Sequence, residues 1–307
     1  MPQHAPIEGK KILVTGPTGQ VAMPLTLSLA QQNEVWGVAR FSNPDARKTL
    51  EEAGVTCTVA DLVEGDFGDL PDDFDYVLNL AVSRATEPDF DADLKANAEA
   101  AGLLMAHCRK VTAFLHCSST AVYEADGHEI FHEASPLGDN HRCMMPTYSI
   151  AKISAEAVVR FAARQFQVPT VIGRLNTPYG NNGGWMYYHL EMMKHGVEIP
   201  VHTNAPSLYT PIHEDDIFGT LPGMLAAASI PARVINWCGS EHVSIEEWCQ
   251  YMAELCGLEA KFKPQDGTLE SVQSDNALMR ALVGDAQVGW KDGIKRMIEA
   301  KRPEYLA

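Results

Sequence analysis

The 307-residue chain predicts an α/β fold: a doubly wound parallel sheet with a second, smaller α/β part behind it. Three observations carry that expectation. Strand and helix segments alternate as far as Arg174, apart from two successive strands before the first long helix. The strand segments are continuous apolar runs, as strands covered on both faces are, rather than alternating ones. A glycine turn joins the first strand to the first helix, where open parallel sheets place their ligand crevice.

Each element has its own signal. "KKILVTG" is a β-branched run closed by glycine, and "QVAMPLTLSLAQQ" has helical apolar spacing. "EVWGVAR" is the second strand, "DARKTLEEAG" a helix ending at glycine, and "VTCTVADL" and "FDYVLNLAV" are strands. "DFDADLKANAEAAGLLMAHCRK" reads as one long helix, acidic at its start and basic at its end, as the helix dipole favours. "TAFLHCSSTAVY" is a strand, "PTYSIAKISAEAVVRFAARQF" a second long helix, and "VPTVIGRL" a strand. Beyond Arg174 the rhythm breaks into "NTPYGNNGG" and "APSLYTPIHEDD". "RVINWCGS" returns as one strand, and "SIEEWCQYMAELCG" is a serine-capped helix. The Gly/Pro/Asn-rich stretch near residue 180 marks the boundary. Residues 10–175 with 212–240 form a dinucleotide-binding unit, and 176–211 with 241–307 a substrate-binding unit.

The formal net charge of −16 disfavours a nucleic-acid partner. No apolar run approaches the ~18 residues that span a bilayer, so no membrane association is expected. The start, "MPQHAPIEGKK", lacks the apolar centre of a signal peptide. The seven cysteines include no Cys-x-x-Cys pair and read as reduced thiols of a cytoplasmic protein.

"TGPTGQVA" lets Gly16 and Gly19 bring the backbone close to a pyrophosphate. Thr18, Gln20 and Val21 lead into a helix whose N-terminus offers free N–H groups and a positive dipole end. An acid at the end of the second strand would bind a ribose 2′-hydroxyl, and an arginine would accommodate a 2′-phosphate. Here Ala39 stands in the acid's place and Arg40 follows, with Ser42 nearby, so NADP is preferred and NAD remains open.

"CSSTAVY" and "YSIAK", together with "TGPTGQVA", "VADL", "NLAV", Asn97, "RLNTPYG", "PIHEDDI" and "INWCGSEHVSIEEW", resemble the extended short-chain dehydrogenase/reductase family, of the NAD(P)-dependent epimerase/dehydratase type. The resemblance spans nearly the whole chain and implies a Rossmann domain. It implies that Tyr148 is the general acid/base and that Ser119, with Ser118 as its neighbouring alternative, hydrogen-bonds the reacting oxygen. Lys152 lies one helical turn from Tyr148. It and the positive nicotinamide favour the phenolate, and Lys152 also meets the ribose hydroxyls. Asp61 and Leu62 would contact the adenine, and Leu80, Ala81 and Val82 the pyrophosphate side. Hydride then passes between the nicotinamide and a small carbonyl, alcohol or sugar substrate. A homodimer through the two long helices is implied as well.

Departures from the family narrow the chemistry. Dehydratases place Asp-Glu where this chain has Thr120 and Ala121, which disfavours elimination of water. The arginine that neutralises a nucleotide diphosphate is replaced by Tyr209. In "RLNTPYG" the usual asparagine position is Thr177, with Asn176 one earlier. Arg84 could meet an anionic substrate or be a solvated loop charge. Met144, Met145 and Met186 are expected to line an apolar pocket. The open alternatives are a sugar or sugar-nucleotide epimerase that oxidises its substrate transiently, and a non-catalytic dinucleotide sensor. No metal is expected: "HEIFH", His128 to His132, matches a zinc-peptidase pattern but lacks room for the helix that chemistry needs. His213 with Glu214, Asp215 and Asp216 fits a helix start.

Overall fold

The computed structural model describes residues 4–83 and 87–306. The first half runs β1 (Lys11–Thr15), α1 (Ala22–Leu29), β2 (Glu34–Ala39), α2 (Pro44–Glu52), β3 (Thr56–Val59), β4 (Tyr76–Asn79), α3 (Phe90–Leu94), α4 (Ala100–His107), β5 (Ala113–Ser119), α5 (Tyr148–Phe166) and β6 (Thr170–Leu175). After a longer excursion that includes α6 (Trp185–Lys194), α7 (Glu214–Ala226) leads into β7 (Arg233–Trp237). The seven strands make one parallel sheet in the order β3-β2-β1-β4-β5-β6-β7. The order reverses between β1 and β4, which opens a crevice at the carboxyl ends of those two strands.

The apolar strands are continuous because successive residues feed different layers. Ile12, Val14, Leu78, Leu115 and Val171 pack with Leu25, Leu221 and Met224 of α1 and α7. Leu13, Val77, Phe114 and Ile172 pack on the other face with Leu104, Met105 and Val159 of α4 and α5. A separate core joins Leu190 and Met193 of α6, Trp248 and Met252 of α8 (Ile245–Cys256), and Ile294, Met297 and Ile298 of α10 (Trp290–Lys301). Between the last two helices, α9 (Ala277–Leu282) returns to the large sheet through Met279. Ser244 and Glu247 form a reciprocal capping box at the start of α8.

The long helix expected over 91–110 is not uniformly α. Lys95–Glu99 is a π turn between α3 and α4. Asn97 explains it: its amide nitrogen bonds the Asp93 and Ser83 carbonyls at 2.9 and 3.1 Å, and its oxygen accepts from Ser83 N at 3.0 Å. The side chain takes over a carbonyl that the wider turn releases.

Among the described residues no helix is long and apolar enough to cross a membrane, and no cluster of His, Cys, Asp and Glu could hold a metal. Ile130–Phe131 is a strand paired with Gln273–Ser274, so the His128–His132 segment has no helical face for two imidazoles. His213 caps α7, its Nδ1 accepting from Asp215 N at 3.2 Å. Both carboxylate oxygens of Asp216 accept main-chain N–H groups, from Gln287 at 2.7 Å and Val288 at 3.0 Å. All seven cysteines are free.

Candidate functional site

The switch point is lined by the turn after β1. Gly16 has φ +61, and a Cβ there would stand 2.9 Å from the Ala81 Cα. Only glycine lets the turn approach the end of β4 this closely. Gly16 N donates to Val38 O and Gly19 N to Gly16 O, both at 2.9 Å. The N–H groups of Gln20, Val21 and Ala22 have no partner among the described residues, and α1 has no side-chain cap. A helix start with free N–H groups beside a close-approach glycine fits a pyrophosphate. Thr18 is half-buried, and Gly19 and Gln20 are exposed.

The turn is tied to its surroundings. Thr15 Oγ1 donates to Asn79 Oδ1 at 2.8 Å and accepts from Leu80 N and Ala81 N at 3.0 Å, fixing the β4 exit against the β1 exit. Asn182 Nδ2 donates to Gln20 O at 2.8 Å, so the loop after β6 leans on the glycine turn. Arg40 is exposed at the end of β2 and has no ion pair among the described residues, whereas nearby Arg47 pairs with Glu51 at 2.7 Å. Phe41, at φ +49, turns the chain directly after Arg40. Asp61 is exposed, with Oδ1 accepting from Val63 N. Leu62 is half-buried against the core, and Val82 is exposed. Arg84 lies outside the described residues.

β5 and α5 bring the reactive side chains together. The Lys152 ammonium donates to Cys117 O at 2.8 Å and stands 6.0 Å from the centre of the Tyr148 ring. Lys152 is buried, while Tyr148 is half-buried at the start of α5. Ser119 is also half-buried, and its Oγ accepts from Ala121 N at 3.1 Å, leaving its proton uncommitted. Ser118 is different: its Oγ donates to Glu156 Oε1 at 2.6 Å in the interior. Of the two serines, Ser119 is the one open to a ligand.

Behind the serines lies a network that the motifs did not announce. Glu156 takes a two-pronged ion pair from Arg174, Nε at 2.9 Å and Nη2 at 2.8 Å, with both side chains almost fully buried. The Arg174 guanidinium lies over the Tyr123 ring at 4.9 Å and donates to Glu133 O at 3.0 Å. Burial pushes the Tyr123 phenol up to about 12, against the pull of Arg174. Two signals were in the sequence: a charge ending an apolar strand, and a glutamate one turn past Lys152. His116 was also missed. Asn79 Nδ2 bonds its Nδ1 at 3.0 Å, and burial, aided by the Lys152 charge, lowers it to about 3.

Two residues expected on the substrate side lie in the interior. Met186 is fully buried in the core of the smaller part, because α6 turns its Met186, Leu190 and Met193 face inward. Tyr209 is 3% exposed. Its ring meets Trp185 edge-on at 5.0 Å and its hydroxyl donates to Glu270 O at 2.8 Å. Asn176 is buried and spends its amide on Val272 O and Ser274 Oγ, while Thr177 is half-buried at φ +37. Met144 is exposed and Met145 half-buried.

A family model described as the NAD dependent epimerase/dehydratase family matches residues 12–221. The chain belongs to that family. It is therefore an enzyme of the extended short-chain dehydrogenase/reductase type. No curated protein matches the sequence. Among solved structures, it is similar to the UDP-glucuronic acid 4-epimerase of Bacillus cereus in complex with UDP-glucuronic acid and NAD, at TM-score 0.82 and 22% identity over 96% of this chain and 100% of that one. It is similar to the UDP-glucose 4-epimerase of Thermotoga maritima at TM-score 0.78 and 19% identity, covering 96% and 99% of the two chains. It is similar, too, to the dTDP-glucose 4,6-dehydratase of Streptomyces venezuelae with NAD bound, at TM-score 0.80 and 18% identity, covering 95% and 97%. At these identities the likeness carries the fold, and the family carries the dependence on a nicotinamide cofactor.

Proposed function

We propose that this enzyme is an NADP-preferring oxidoreductase acting on a carbonyl or secondary-alcohol centre through Ser119, Tyr148 and Lys152. One observation supports it above others: the Lys152 ammonium bonds the carbonyl two residues before Ser119 and stands 6.0 Å from the Tyr148 ring, at the same sheet edge as the glycine turn. The bound nicotinamide supplies or takes the hydride. Tyr148 gives or takes the proton on the substrate oxygen, and the Ser119 hydroxyl donates to that oxygen. Lys152, held by Cys117 O, keeps a positive charge beside the phenol and has two further N–H donors for ribose hydroxyls.

Arg40 is the proposed 2′-phosphate contact: exposed, without an ion pair among the described residues, at the strand end where Ala39 replaces an acid. Gly16, Thr18, Gly19, Gln20 and Val21 cradle the pyrophosphate, with Leu80, Ala81 and Val82 opposite and Asp61 and Leu62 toward the adenine. Met144, Met145 and Thr177 face the substrate. The large sheet binds the dinucleotide and the smaller part the substrate. Free cysteines accord with a cytoplasmic setting. Leu103, Ile150 and Phe161, exposed on α4 and α5, suit a homodimer face.

A second function is favoured by the solved epimerases: epimerisation of a sugar or sugar nucleotide with transient oxidation. Against a nucleotide diphosphate stands Tyr209 in place of the neutralising arginine. Assaying NADPH at 340 nm with a panel of carbonyl compounds and sugars separates the two. Net oxidoreduction consumes one NADPH per product, whereas an epimerase forms product with no net consumption. Arg40→Ala is expected to weaken NADPH binding about tenfold or more and leave NADH unchanged. Equal losses for both would remove Arg40 from the 2′-phosphate.

A further inference from the structure

An imidazole that no motif singled out stands beside the phenol. The ring centre of His141 is 5.9 Å from that of Tyr148, with the planes 41° apart. The loop pins it there. Its main-chain N donates to Ser149 Oγ at 3.3 Å, next to Tyr148. Its carbonyl accepts from Met144 N at 3.0 Å and Met145 N at 2.8 Å. Its Nδ1 bonds Asn140 Oδ1, and Asn140 Nδ2 donates to Thr120 O at 3.2 Å, next to Ser119. His141 thus spans the elements that carry Ser119 and Tyr148.

The same bonds assign its proton. Asn140 commits its amide nitrogen to the Thr120 carbonyl, so its oxygen faces the imidazole. That oxygen only accepts, so Nδ1 of His141 carries the hydrogen. Burial lowers the imidazole to about 4, so the ring is neutral at pH 7. Its Nε2 is then a bare lone pair. Nε2 has no partner among the described residues, yet it is not one of the sealed, unpartnered buried atoms, a set that includes Nε2 of His116 and of His213. His189 contrasts with it: its Nδ1 accepts from Trp248 Nε1 at 2.9 Å inside the core. His141 keeps an accessible acceptor beside a phenol.

We propose that Nε2 of His141 accepts a hydrogen bond from a substrate hydroxyl on the carbon next to the reacting one, selecting α-hydroxycarbonyl compounds and vicinal diols over simple ketones and alcohols. The inference rests on Tyr148 being the acid/base residue: with the reacting oxygen on Tyr148 and Ser119, it assigns the adjacent oxygen to the imidazole 5.9 Å from the phenol ring. In the reducing direction hydride leaves NADPH for the carbonyl carbon and the Tyr148 proton goes to its oxygen, giving diol and NADP. His141 gains and loses nothing.

The test uses two probes with one skeleton, 2-butanone and 3-hydroxy-2-butanone, with NADPH as reductant. The wild type is expected to favour the hydroxyketone about tenfold or more in kcat/KM, as one buried hydrogen bond allows. His141→Phe is expected to bring that ratio toward one, and His141→Gln, whose amide oxygen can accept in the same place, to restore part of it. NADPH affinity measured on each variant shows that the fold is kept. A wild type indifferent to the hydroxyl, or a His141→Phe variant that keeps the preference, overturns the role of His141 and leaves the oxidoreductase intact. No NADPH consumption with either probe overturns both. A measurement free of substrate adds an independent arm: ¹⁵N-histidine NMR at pH 7 should show His141 protonated on Nδ1 and bare on Nε2. The opposite tautomer overturns the proposal.

Discussion

At the scale of single residues, burial sets the protonation states around the site. His116 titrates at about 3 and His189 at about 4, against an ordinary 6.5, and burial is the leading cause in both. Folding keeps both rings neutral, while the unfolded chain takes up protons below about 6.5. Their contribution is therefore complete above pH 6.5 and is lost as pH falls from there toward about 4 for His189 and about 3 for His116. At pH 5 each costs about 2 kcal/mol of stability. Urea unfolding at pH 7 and pH 5 should show that fall, and His116→Asn should reduce it by about 2 kcal/mol. An unchanged fall would place the acid sensitivity elsewhere. Gly16 is a second residue-scale case. Gly16→Ala puts a methyl 2.9 Å from the Ala81 Cα at a positive φ. It should weaken NADPH binding at least tenfold by calorimetry, because the turn must retreat from β4.

At the scale of elements, β5, α5 and β6 are locked by charges that only the folded chain brings together. Glu156 and Arg174 lie 18 residues apart and reach each other because α5 packs back onto β6. Removing Arg174 leaves the buried Glu156 carboxylate with only Ser118 Oγ and the longer contact to the half-exposed Arg160 at 3.5 Å. Arg174→Met alone should cost about 3–5 kcal/mol in urea unfolding, while Arg174→Met with Glu156→Leu should recover much of that. Equal losses for single and double variants would show that the pair is not the determinant. Elements were also where the sequence was most and least legible. The apolar runs of β1, β4, β5 and β6 and the glycine turn are local patterns and stood out. The π turn at Lys95–Glu99 did not, because it depends on Asn97 meeting Ser83 across space. Tyr148 and Lys152 share a helix face and were visible. His141 was not, because its role comes from Asn140 and Thr120, which the fold brings to it.

At the scale of the whole molecule, a parallel sheet and a smaller lobe meet over one edge, and a side-chain bond from Asn182 to Gln20 joins them at the glycine turn. The exposed apolar side chains Leu103, Ile150 and Phe161 lie on α4 and α5. Phe161→Glu is expected to halve the mass seen by light scattering while NADPH still binds. Mass unchanged from a monomeric wild type would remove the dimer. Substrate identity was the least legible property: Met186 and Tyr209 lie inward, and Met144, Met145, Thr177 and His141 are only proposed to face the substrate. The central claim is that Tyr148 moves the proton that accompanies hydride transfer. The most direct measurement compares NADPH oxidation by the wild type and Tyr148→Phe with 3-hydroxy-2-butanone, alongside NADPH binding to each. The expected result is unchanged binding and a turnover lower by a factor of about 10²–10⁴. Equal turnover by the two proteins would contradict it.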